Sequence, residues 1–82
     1  MTFHELVIAK RTLDALYELD GGQAHALALH AQIGGLRLCP TREFEAVLAE
    51  MDRRHWVLGI TTRFKGVLWS LSDAGAAARL QM

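Results

Sequence analysis

The chain has 82 residues, half of them apolar and fewer than a quarter charged. That balance is too hydrophobic for a disordered tail and long enough for one domain with one core. Its formal net charge is zero, with nine Lys and Arg against nine Asp and Glu. It therefore lacks the basic excess from which dedicated DNA binders draw much of their affinity. A single cysteine, Cys39, excludes an internal disulfide and a thiolate metal cluster.

The first helix is expected from Phe3 to Leu19, capped by Thr2 and stopped by Asp20-Gly21-Gly22. Phe3, Leu6, Ala9, Leu13, Leu16 and Tyr17 cluster on one side and are assigned to the core. Ile8, Thr12, Ala15 and Leu19 form a second, weaker stripe. That stripe is the candidate for a homodimer or protein-partner contact. A short second helix is expected from Ala26 to Ile33, with Gln23 to His25 able to pair briefly as an extended segment before it. His25 and His30 lie five apart and do not converge on one metal, so they are read as surface or half-buried side chains.

Leu36 to Cys39 reads as a short apolar linker, with Cys39 as a small buried residue. Pro40 and Thr41 then open a third helix, Thr41 to Arg54. Phe44, Val47, Leu48 and Met51 repeat at i, i+3, i+4 and i+7 and give it one inward stripe. The opposite face has Arg42, Ala46, Ala49 and Arg53 along its centre. Arginines there can reach guanine edges, and alanine methyls can pack on thymine methyls. Glu43 and Glu50 border one side of this line, and Glu45 and Asp52 the other. They either repel phosphates or pair with the arginines as an ordinary solvated face.

Beyond residue 55 the periodicity changes to that of strands. Trp56 to Ile60 and Val67 to Leu71 are expected to pair across a polar loop, Thr61 to Gly66, in which Gly66 supplies a positive φ. Arg63 and Lys65 at this tip suit phosphates, with Phe64 stacking or anchoring the loop. Trp56 and Trp69 are assigned to packing within the hairpin. Ser72 or Asp73 caps a last helix, and Gly75 in its first turn allows close approach to a neighbouring backbone.

The expected fold class is therefore α+β: three helices, a two-stranded hairpin with a short third strand near Gln23 to His25, and a C-terminal helix. This order, with the Leu71-Ser72-Asp73-Ala74-Gly75 run and the Phe44 to Val57 segment, resembles the winged helix-turn-helix domain of MarR- and PadR-type regulators. In that family a Leu-Thr-x-x-Gly run closes the wing, and Gly usually stands where this chain has His55. The plan is also similar to the soluble winged-helix tail of the ribonuclease-BN-like membrane family. The first resemblance implies a cytoplasmic, dimeric regulator binding double-stranded DNA through Thr41, Arg42, Ala46, Ala49, Arg53, Arg63 and Lys65. The second implies a protein-interaction module without DNA binding. No placed nucleophile and base, phosphate loop, metal spacing or cofactor motif is present, so an enzyme is not expected. No run approaches a membrane span, so the chain itself is not expected to insert.

Overall fold

The computed structural model describes residues 1–19, 22–64 and 66–82. In chain order it consists of α1 (Phe3–Glu18), β1 (Gln23–His25), α2 (Ala26–Ile33), a 3-10 turn (Gly35–Arg37), α3 (Thr41–Arg53), β2 (Val57–Thr62), β3 (Gly66–Leu71) and α4 (Asp73–Gln81). The strands form one antiparallel sheet in the order β1-β3-β2. This is an α+β domain, and its helices and sheet share a single core. None of the described helices is long and apolar enough to cross a membrane.

Local chemistry sets the helix boundaries. Thr2 and Glu5 form a reciprocal capping box at the start of α1, each side chain meeting the other's backbone N–H. The Thr2 backbone N–H, donating to the carboxylate, and then the Thr2 side chain hold the Glu5 carboxyl below its usual range. The expected stop at Asp20-Gly21 lies outside the described residues. Pro40 occupies the N-cap of α3 with no side-chain cap bond, which makes Thr41 the first helical residue. Ser72 caps α4 by accepting from the Gly75 N–H at 2.9 Å.

All four residues of the α3 stripe are buried, with Phe44 stacked on His30 at 4.9 Å between ring centroids. His30 is itself buried, against the expectation of a surface or half-buried ring. Its Nε2 shares a 2.9 Å hydrogen bond with the Cys39 carbonyl, which satisfies the ring inside the core. Cys39 is buried as expected, and burial, followed by the nearby Glu43 carboxylate, pushes its thiol pKa up.

The largest correction concerns α1. Ile8, Thr12 and Ala15, expected on a dimer or partner surface, are buried within the chain's own core, and Leu19 packs against it half-buried. Phe3, Leu6 and Tyr17, expected inside, are exposed. The buried arc joins Ile8, Thr12 and Ala15 to Ala9, Leu13 and Leu16, so the helix is rotated relative to its most hydrophobic side. Thr12 tolerates this because its hydroxyl donates to the Ile8 carbonyl at 2.8 Å and needs no partner from another element.

The hairpin is tighter than the sequence indicates. β2 and β3 pair from Val57 with Leu71 to Thr62 with Gly66, so both ends of the expected loop belong to strands. Gly66 takes φ 74°, the left-handed conformation the turn requires. Trp56 stands one residue before β2, and Arg54 lies over its ring at 5.3 Å. The expected third strand is β1, pairing Gln23 with Ser70 through His25 with Leu68.

α4 is held by both ends. At its start, Ser72 donates its backbone N–H to the Trp56 carbonyl at 3.2 Å, and its hydroxyl bonds the His55 carbonyl. Nearer its end, Arg79 donates to Asp14 of α1 at 2.9 Å and lies 4.0 Å from the Tyr17 ring centroid. Asp14 also accepts from Lys10 at 2.9 Å. Partial burial raises the Asp14 pKa, but the hydrogen bonds from Lys10 and Arg79 outweigh it and hold the carboxyl below its usual range.

Candidate interaction surfaces

Two surfaces are candidates: the outward face of α3 with the hairpin tip, and a groove between α1 and α4. On α3, the inward stripe forces the opposite residues out. Thr41, Arg42, Ala46, Ala49 and Arg53 are all exposed along one side of the helix. Arg63 is exposed at the hairpin tip, with its guanidinium 5.4 Å from the Phe64 ring centroid. Lys65 lies outside the described residues, so the expected pair of tip cations is described only at Arg63.

Part of the charge on this face is cancelled locally. Glu50 receives the guanidinium of Arg53, whose Nε donates at 2.9 Å, and that of Arg54 at 3.2 Å. These hydrogen bonds from Arg53, then Arg54, hold the Glu50 carboxyl below its usual range. Glu43 is bridged to His4 of α1 at 3.0 Å. Glu45 and Asp52 are different: no ion pair engages either among the described residues. They flank a cleft of about 420 Å³ between α3 and the sheet, with Leu48, Ala49, Val67 and Trp69 as its apolar lining and His25 on the far wall. The side of α3 that faces the hairpin is therefore acidic.

The second surface was not anticipated as a site. Phe3 (83% exposed) and Leu6 (37%) line a groove of about 570 Å³ with Val7, Trp56, Ala78 and Met82. Lys10, Arg11 and Gln81 supply its polar lining, and no Asp or Glu is among the described residues that line it. Phe3 and Leu6 were assigned to the core because hydropathy records the apolar side of α1 but not which apolar residues a second helix covers. The helix-4 end that forms the other wall has no apolar stripe strong enough to mark it in advance.

Comparison with protein-family models, with curated proteins and with solved structures finds no match to this chain.

Proposed function

We propose that the chain is a winged-helix domain that docks a protein partner. α3 stands in the position of the recognition helix and the β2–β3 hairpin in that of the wing. Three observations support the winged-helix assignment: the element order, the antiparallel sheet order β1-β3-β2, and the join at α4. At that join the Leu71 to Gly75 run closes the hairpin and caps the next helix. His55 adds support, since its φ of 61° is a glycine-type conformation at the position where the resembled family usually has Gly.

The observation that carries protein docking over DNA reading is the capture of Arg53 and Arg54 by Glu50. From Thr41 to Arg54 the presented helix has three arginines against four acids. Two of those arginines already face a carboxylate on their own helix. Phosphate affinity comes from uncompensated cations that release counterions, and acids at the groove wall oppose it. The α1–α4 groove differs in having an apolar floor, with Arg11 beside it and Lys10 already paired to Asp14 of its own helix. It fits an amphipathic helix whose apolar ridge fills the groove and whose flanking acid meets Arg11.

A panel of synthetic helices tests this reading: one apolar ridge flanked by Glu, the same ridge flanked by Lys, and a scrambled control. The Glu-flanked helix should bind and lose affinity on Leu6→Asp, a partly exposed site whose change leaves the thermal melt in place. Equal binding of the Lys-flanked helix, or no binding by either, overturns it.

A second reading is favoured by the unbroken exposed line Arg42, Ala46, Ala49 and Arg53 on α3, which is chemically usable in a major groove. It expects retardation of duplex DNA at low salt that Arg53→Ala combined with Lys65→Ala removes.

A further inference from the structure

β2 is an edge strand. It pairs with β3 on one side, and among the described residues no strand lies on the other. Natural sheets guard such an edge with lysine, proline, a bulge or a cover, because its unpaired backbone groups template another strand. The sequence of β2, Val-Leu-Gly-Ile-Thr-Thr, contains neither charge nor proline. Leu58 and Ile60 are each 50% exposed, on the sheet face away from Trp69 and the core.

The direction of the free backbone groups follows from the ladder. The Ser72 N–H donates to the Trp56 carbonyl, and the Ser70 hydroxyl reaches the Leu58 carbonyl at 3.5 Å. In an antiparallel pair the backbone groups alternate by residue, so Leu58 and Ile60 turn theirs toward β3. Val57, Gly59 and Thr61 turn theirs outward.

We infer that two copies of this chain pair antiparallel through β2, about a two-fold axis at Gly59, to form a continuous six-stranded sheet. In this register Gly59 meets Gly59 of the second copy, and Val57 meets Thr61, so the outward-turned groups of all three positions are paired. Leu58 of each copy then faces Ile60 of the other at a non-hydrogen-bonded position, where cross-strand side chains lie closest. A two-fold contact sets only the residue on the axis, Gly59, against its own copy and keeps the rest of the strand near its counterpart, and an uncharged strand brings no like charges together there. A one-residue slip would place apolar residues opposite the wrong face, which disfavours it. This pairing goes beyond the docking reading and does not depend on it, since the α1–α4 groove takes no part.

Sedimentation across a range of concentrations, with four proteins, tests the inference. Wild type should pass from monomer to dimer as concentration rises. Ile60→Lys alone and Leu58→Glu alone should each remain monomeric, because each sets a charge against an apolar partner. The double variant should regain the dimer, now weakened by salt, because each introduced lysine faces an introduced glutamate. Amide hydrogen exchange on the wild type gives a readout that needs no variant: Gly59 and Thr61 should gain protection as the dimer forms. A wild type that stays monomeric at every concentration, a dimer indifferent to the single changes, a double variant that stays monomeric, or a dimer that leaves those amides unprotected overturns the inference.

Discussion

Substituting Gly75 by alanine puts the α4 join under direct strain. A Cβ built there lies 2.0 Å from the Trp56 carbonyl oxygen and 2.9 Å from both the Trp56 carbonyl carbon and Leu71 Cδ1. Two of these neighbours are backbone and cannot swing aside, so the start of α4 must move outward by more than about 1 Å to restore ordinary contact. That movement pulls on the Ser72-to-Trp56 hydrogen bond and on the Ser72 contact with His55. Alanine gains about 1 kcal/mol of helix propensity over glycine. Overpacking costs about 1–3 kcal/mol and a disturbed N-cap about 1 kcal/mol more. The net loss is about 1–3 kcal/mol, and at about 4–8 °C per kcal/mol for a domain of this size the midpoint should fall by about 10 °C. Thermal unfolding followed by circular dichroism reads this directly. An unchanged or raised midpoint would mean that α4 does not pack on Trp56 as described.

Other expectations follow from the same contacts. His55→Gly removes the cost of a side chain in the left-handed conformation, about 1 kcal/mol, and returns part of it through the freer unfolded chain. A small net gain in denaturant midpoint should result. Asp14→Asn removes the negative charge shared by Lys10 and Arg79, leaving one amide oxygen as acceptor, and should lower stability by under about 1 kcal/mol. The folded Asp14 pKa lies below the reference value of 3.8, so its contribution is complete above that value and is lost as pH falls through the lower folded pKa. Melts recorded down an acid series should therefore show a decline in the wild type that is shallower in Asp14→Asn. Phe44→Ala leaves a cavity against His30 and should cost about 3–5 kcal/mol, a large share of the stability of so small a domain. A denaturant midpoint moved far down would show it.

Where a boundary or stripe rests on local chemistry, it was legible in the sequence. Thr2 with Glu5, the Phe44-to-Met51 spacing, Gly66 in the turn and Gly75 at the close approach each carry their structural reason within a few residues. The rotation of α1 was not legible, because both of its stripes are apolar enough to be buried and tertiary contacts choose between them. Thr12 illustrates the difficulty: a polar residue argues for the surface until its hydroxyl is seen to be satisfied by its own helix. His30 misled in the same way, since its acceptor is the Cys39 carbonyl, nine residues away across the 3-10 turn. On the candidate site, the acids beside the arginine line were visible from the start. Their pairing with the arginines was one of two readings open from the sequence, and side-chain geometry shows that Glu50 meets both Arg53 and Arg54. The α1–α4 groove was missed for the same reason as the rotation, being made by residues assigned to the core.

Binding of duplex DNA under conditions that most favour it tests the central claim most directly. Wild type and Glu50→Gln should be titrated with a generic duplex at about 50 and about 200 mM salt, a range over which phosphate-driven binding weakens steeply. With Arg53 and Arg54 held by Glu50 and acids flanking Arg42, the wild type is predicted not to bind at either salt, and Glu50→Gln to bind weakly at the lower salt only. Wild-type binding at low salt that is lost at the higher salt and on Arg53→Ala would contradict the account.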